Sequence, residues 1–218
     1  QQAGYRVNEY VLQNARNYLT DYLYANPPDP DFPWQYDRDV LVHYALMEAG
    51  FPLFSIAEGL AENRTQMSAW AQALFGLLML EGKRPDLADT IFSDLQSTSV
   101  RSAAGVHWAN QGGHWETFSS DVINNAIVIY ALAQRDPASP LVTDAVRYLM
   151  SFRDRNGGWR SSYGTAWALM ALTEVMRATG ELGGEFGFSA SLNGNPFATG
   201  EAGGIQQLSL IHISEPTR

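Results

Sequence analysis

The side chains of this sequence best suited to move a proton or hold a cation are four histidines and a closely spaced group of aspartates. Asp39 stands four residues before His43, so on a helix the two share a face and could ligate a metal or relay a proton. Apart from Asp39, no second His, Asp or Glu stands three or four residues from His43. The plainer expectation is therefore a satisfied hydrogen bond at a helix start. Asp29, Asp31, Asp37 and Asp39 form the densest carboxylate group, as a glycosidase pair or a cation-generating acid would require. They are spread through a proline-rich loop and a helix start, where acidic residues meet the positive end of the helix dipole, and that structural role is preferred.

His107-Trp108 and His114-Trp115 fall in a loop over 99–118, where an imidazole could act as a general base if a carboxylate such as Glu116 oriented it. The structural alternative is that Trp108, Trp115 and Trp159 plug the joints between helices. Their indole N–H groups would then bond loop carbonyls, while glycines allow close backbone approach. Gly113, Trp115, Gly158 and Trp159 are the residues expected to build those joints. The sequence has no G-x-S-x-G, no H-E-x-x-H and no phosphate-binding Gly-Lys-Ser/Thr motif. With no cysteine, thiolate zinc sites, iron–sulfur clusters, disulfides and cysteine nucleophiles are excluded. Asn63-Arg64-Thr65 fits a glycosylation sequon, a pattern frequent by chance. No catalytic, cofactor-binding or metal-ligating residue is assigned, and no enzymatic activity is expected.

Eight helices must position these residues. Val7, Val11, Ala15, Tyr18, Leu19 and Tyr22 follow the spacing of one helical face and predict an amphipathic helix over 6–24. Val40 to Ala49 is apolar almost all round, until Gly50 and Pro52 stop it. The alternation continues with a short helix over 52–61, apolar 67–81, amphipathic 85–98, apolar 119–134, amphipathic 138–154 and apolar 164–178. Ser139 reads as a helix cap with Pro140 at the first helical position. Four outer–inner hairpins follow. Gly112-Gly113-His114-Trp115 and Gly157-Gly158-Trp159 each precede an inner helix, with Gly113 and Gly158 45 residues apart, a spacing typical of stacked supersecondary units. The expected fold is mainly α, a partial α/α toroid of helical hairpins over 1–182 followed by the start of a β domain.

That β start is read from a change of period after Gly184. Phe186, Phe188, Ala190 and Leu192 alternate with smaller or polar residues, Asn193-Gly194 is a strong hairpin signal, and Asn195 to Thr199 is the return strand. An isolated hairpin is marginal in water, so 185–207 reads as the opening of a larger β domain. In a partial ring the inner faces around Leu41, Leu77 and Ile127 are expected to be exposed and solubility to be marginal.

The 218 residues are 45% hydrophobic and 17% charged, a globular composition. Net charge is −9, and Lys83 is the sole lysine, which argues against nucleic acid and anionic membranes as partners. The longest apolar stretch, Ala69 to Leu80, is shorter than the ~20 residues of a membrane span. The first residues carry no initiator methionine and no export signal, so the chain is expected to begin mid-protein. Leu208 to Arg218, LSLIHISEPTR, is identified by resemblance as the in-frame translation of a transposase library adapter. On that reading His212, Glu215 and Arg218 carry no function; the alternative is a natural tail.

Gly105 to Leu182 resembles the thioester domain of bacterial alpha-2-macroglobulin-like proteins. The resemblance lies in Val106-His107-Trp108, the helix from Asp121 through Leu132, Tyr148-Leu149 to Arg153, Asn156-Gly157-Gly158-Trp159-Arg160-Ser161-Ser162, and Thr165-Ala166-Trp167-Ala168-Leu169. Arg64 to Leu80 is similar to the family's preceding helix, and Phe186 to Gly200 to the β domain that follows. The resemblance implies a broad-spectrum endopeptidase inhibitor of the extracellular space, periplasm or cell envelope, with proteases and neighbouring macroglobulin-like β domains as partners. In that family a protease cuts a bait segment, the molecule collapses around it, and a buried Cys–Gln thioester is exposed. Lacking cysteine, this chain would have that site upstream, or would belong to a thioester-less member. The alternatives are an α/α-toroid enzyme of terpene cyclase or prenyltransferase type, whose Asp-x-Asp-Asp acid or cysteine zinc ligand is missing here, and a non-catalytic helical binding module.

Overall fold

Apolar residues recurring with the helical period form eight α-helices among the described residues, which in this computed structural model are 7–110, 120–183, 185–192 and 195–203. They are α1 (Glu9–Ala25), α2 (Trp34–Glu48), α3 (Phe54–Glu58), α4 (Ala69–Glu81), α5 (Pro85–Ser97), α6 (Asp121–Arg135), α7 (Pro140–Ser151) and α8 (Ser162–Ala178). Their starts have local causes. The Asn8 side chain accepts the N–H groups of Tyr10 and Val11, and Ser120 and Ser161 accept those of Ile123 and Gly164. Pro85 and Pro140 occupy first helical turns, where a missing donor removes no bond. Ser139 precedes α7 as expected, but its hydroxyl makes no capping bond.

Two layers result. The inner helices α2, α4, α6 and α8 pack side by side in chain order, while α1 lies on α2, α5 on α4, and α7 on α6 and α8. The division follows burial. In α4 every residue from Trp70 to Met79 is buried, whereas α5 buries only Ala88, Ile91, Phe92 and Leu95, at i, i+3, i+4 and i+7. Gly76 lets the two approach, since a Cβ there would sit 2.7 Å from the Phe92 ring. The molecule is thus mainly α, an arc of helical hairpins.

α2 starts at Trp34, six residues before Val40, because Tyr36, Val40 and Tyr44 extend one buried face backwards from the apolar stretch. The stretch read as a loop after α5 contains a two-stranded hairpin, β1 (Val100–Ser102) and β2 (Gly105–His107), with Val100 opposite His107. Packing of β2 on α7 stabilises so short a pair. Gly105 at the turn has φ +134°, and a Cβ there would lie 2.2 Å from the Asp144 carbonyl oxygen.

After α8 and a 3-10 turn at Glu181–Gly183, β3 (Glu185–Leu192) pairs antiparallel with β4 (Asn195–Gly203), with an irregularity at Ala190/Ser191. The return strand runs four residues past Thr199. Gly113, Trp115, Asn193-Gly194 and Leu208–Arg218 lie outside the described residues.

Leu77 and Ile127 are buried and Leu41 is half-buried, contrary to the expected exposure, because α4 and α6 are flanked on both sides within the row. Exposed apolar side chains include Tyr10, Val11 and Tyr18 on α1 and Tyr163, Leu169, Met170 and Met176 on α8, with single ones elsewhere such as Ile56 on α3 and Met150 on α7.

Candidate functional site

The polar chemistry of the chain concentrates where the inner helices begin. Trp108, 1% exposed, donates its indole N–H to the Leu95 carbonyl at 2.6 Å. Trp159, 2% exposed, donates to the Leu149 carbonyl at 2.9 Å. Leu95 and Leu149 hold the same place, third from the end of outer helices α5 and α7, where regular i+4 donors run out; the Leu95 carbonyl also accepts the Thr98 hydroxyl at 3.1 Å and the Leu149 carbonyl the Phe152 N–H at 3.2 Å. The acceptors are therefore helix-end carbonyls rather than the loop carbonyls expected. Trp108, one of the three tryptophans expected to plug the joints, is the structural counterpart of Trp159.

Each tryptophan is also held through its backbone by the inner helix that follows. Asn125 accepts the Trp108 N–H at 2.8 Å, and Asn124 donates to its carbonyl at 2.8 Å. At the other joint the Thr165 hydroxyl oxygen accepts the Trp159 N–H at 2.9 Å. Gly158 adjoins this contact, since a Cβ there would lie 3.2 Å from Thr165 Oγ1.

Asn124 and Thr165 belong to a series. The fourth residue of every inner helix is polar: Asp37 in α2, Gln72 in α4, Asn124 in α6 and Thr165 in α8. Gln72 donates to the Met67 carbonyl at 2.9 Å, and Asn124 also accepts the Trp70 N–H at 3.0 Å. Asp37 accepts the Ser68 N–H at 2.8 Å and the Ser68 hydroxyl at 2.5 Å. These bonds occupy helix-start donors and entry-strand groups that would otherwise be buried unpaired. Apolar periodicity gave no sign of the series, although the polar residues interrupting apolar helices were its visible trace.

A cavity of about 280 Å³ lies at this rim, lined by Trp34, Asp37, Met67, Ser68, Gln72 and Trp108 among others. Burial pushes the Asp37 carboxyl up to about 6, with the two Ser68 bonds opposing the rise.

The aspartate group does not act as one site. Asp29 and Asp31 lie in the exposed loop, Asp29 accepting the Asp31 N–H, while Asp37 and Asp39 are buried on α2 with separate partners. Asp39 pairs with the guanidinium of Arg38 at 2.7 Å. Burial raises its carboxyl above the usual range, against the Arg38 bond and charge. The expected Asp39–His43 hydrogen bond is not what satisfies His43. Its Nδ1 is buried without a partner, and burial alone lowers the imidazole to about 4. Arg38, adjacent to Asp39 in sequence, takes the carboxylate that the i, i+4 spacing assigns to His43. His107 stacks on Tyr148 at 4.3 Å with an unpartnered buried Nδ1, so no carboxylate orients it there. His114 and Glu116 lie outside the described residues. Asn63-Arg64-Thr65 falls in a 3-10 turn where Arg64 pairs with Asp94 at 2.8 Å. At the opposite end of the row a cavity of about 390 Å³ is lined by Tyr44, Glu48, Glu81 and Gln134. Among the described residues no three of His, Asp and Glu converge as metal ligands, and no helix is long and apolar enough to cross a membrane.

No protein-family model and no curated protein matches the sequence. Solved structures do. Native alpha-2-macroglobulin from Escherichia coli, spanning domain MG7 to the C-terminus, superimposes with a TM-score of 0.61 at 12% identity, covering 91% of this chain and 30% of that one. Trypsin-activated alpha-2-macroglobulin from Escherichia coli gives a TM-score of 0.58 at 14% identity, covering 93% of this chain and 14% of that one. The chain thus spans less than a third of either neighbour's length, and its fold is similar to part of alpha-2-macroglobulin.

Proposed function

We propose that this chain is part of a bacterial alpha-2-macroglobulin-like protein, a broad-spectrum endopeptidase inhibitor that encloses proteases after cleavage of a bait segment. The observation that carries the reading is the order of elements, an inner row of four parallel-layered helices leading through α8 into an antiparallel β hairpin, in a chain whose fold is similar to alpha-2-macroglobulin over most of its length. In this reading residues 1–182 are hairpins of a thioester-type toroid and 185–207 open a macroglobulin-like β domain. The Cys–Gln thioester, where the protein has one, lies in hairpins preceding Gln1, and Leu208–Arg218 is adapter-derived. The exposed row on α8 is the edge on which the rest of the ring packs.

The chain itself is a scaffold rather than an enzyme: its buried polar groups tie helices together. Its partners are proteases, engaged through the whole protein, and neighbouring β domains. The compartment is extracellular, periplasmic or at the cell envelope.

The test is to recover the complete gene by reading past both ends and to incubate its product with trypsin. Enclosure predicts that trypsin still cleaves a small peptide substrate while losing activity on a large protein substrate. Equal activity on both, in a product with neither bait segment nor flanking β domains, would overturn the reading. The 218-residue chain alone is expected to leave trypsin uninhibited.

A further inference from the structure

The last helix of the inner row, α8, packs along α6 on one side and is exposed on the other. On the exposed side Tyr163, Ala166, Leu169, Met170, Thr173 and Met176 recur at three- and four-residue spacing, so they form one surface about four turns long. None of them is charged. Glu174 and Arg177, at the border of this surface, neutralise each other at 2.5 Å. Aromatic and methionine side chains without charge are the composition of an interface core, not of a solvated helix face.

The surface is also symmetric along the helix. Tyr163 and Met176 stand equally far on either side of the Leu169–Met170 pair, and the smaller Ala166 and Thr173 stand equally far inside them. The order of large and small side chains therefore reads the same in both directions, and a two-fold axis through Leu169–Met170 lays the surface on a copy of itself. Leu169 and Met170 then meet their own counterparts, while Ala166 faces the second copy's Thr173, where small side chains let the backbones approach. The two ends carry unlike charge, since exposed Arg160 precedes the helix and exposed Glu181 follows it. Antiparallel pairing brings each arginine to the other copy's glutamate and carbonyl end, whereas parallel pairing sets like charges and like dipole ends together.

We propose that two copies of this chain associate through α8, antiparallel about an axis between Leu169 and Met170. In the protease-trap reading the same edge receives the rest of the ring. Self-pairing needs only the uncovered edge and does not rest on that reading.

The test is sedimentation of the 218-residue chain from about 1 to 300 µM, joined to cross-linking of single-cysteine variants of a sequence that has no cysteine of its own. Expected is a reversible monomer–dimer equilibrium that stops at two copies, with a Kd of about 10–100 µM for so small an interface. Leu169→Glu should weaken it at least about tenfold. A short bismaleimide should join Met170→Cys to itself but not Met176→Cys, whose two copies would lie about 20 Å apart along the helices. A monomer at every concentration, growth beyond two copies as α8-on-α1 packing would give, unchanged association in a folded Leu169→Glu, or self-cross-linking of Met176→Cys in preference to Met170→Cys would overturn the proposal.

Discussion

The Trp108 indole N–H donates to the Leu95 carbonyl at 2.6 Å, closing the end of one outer helix from the threshold of the next inner one. A single side chain thereby satisfies a helix-end acceptor, fills the joint and, through its backbone, engages α6. Trp159 repeats the arrangement on Leu149 and α8. The hairpins are consequently linked by buried polar bonds as well as by apolar packing, which fixes their mutual register more narrowly than packing alone.

Trp108→Phe and Trp159→Phe keep the aromatic bulk and remove the donor. Each is expected to destabilise the chain by about 1–2 kcal/mol in denaturant unfolding. Asn125→Leu, which leaves the Trp108 N–H buried without its acceptor, should cost more, about 2–4 kcal/mol. A neutral Asn125→Leu would show that the backbone clamp contributes little.

Gly105→Ala forces a side chain into φ +134° and against the Asp144 carbonyl. A loss of about 2–4 kcal/mol is expected, with hydrogen exchange fastest to rise in β1 and β2. Gly50→Ala offers the comparison, since it is also at positive φ but has nothing within 4 Å of the added Cβ. Its loss should be confined to backbone strain, about 1 kcal/mol.

Asp37 and His43 pull stability in opposite directions with pH. The Asp37 carboxyl is raised in the fold from 3.8 to about 6, so the folded state binds the extra proton and Asp37's contribution improves as pH falls from 6 to 4. His43 is lowered from 6.5 to about 4, so its contribution is lost as pH falls through the same window. Relative to the parent chain, His43→Leu should therefore gain stability on acidification between pH 6 and 4, and Asp37→Asn should lose it. Chemical denaturation at pH 4, 5, 6 and 7 reads the two slopes, and slopes of the same sign would refute the assignment.

Leu169 and Met170 on α8 are 53% and 45% exposed, whereas Leu77 on α4 is 5% exposed. Leu169→Glu and Met170→Glu should change unfolding free energy by no more than about 0.5 kcal/mol while lowering light scattering at high concentration. Leu77→Glu should unfold the chain, having placed an unpaired charge in the core.

Much of the architecture was legible from local pattern. The alternation of amphipathic and fully apolar stretches marked eight helices and their division into outer and inner, because burial on one face or on all faces is written directly into residue spacing. The change to period two after Gly184 marked the β hairpin for the same reason. Val40 was a late guess for the start of α2, since Trp34 to Arg38 mixes aromatic and charged residues that only the neighbouring α4 and its Ser68 make compatible with burial.

The joint tryptophans at 108 and 159 were legible in the sequence, but the helix-end carbonyls of Leu95 and Leu149 that they reach were not, because only the packing of the outer helices brings them within range. Asn124, Asn125, Gln72 and Asp37 looked like interruptions of apolar helices. Three-dimensional packing made them a series, because, apart from the local bond of Gln72 to Met67, their partners lie in other segments, 54 residues away for Asn124 and Trp70 and 31 for Asp37 and Ser68. Sequence spacing determined which faces of this protein are apolar. Tertiary structure alone decided which buried polar groups meet, since a hydrogen bond depends on distances and angles that periodicity does not carry.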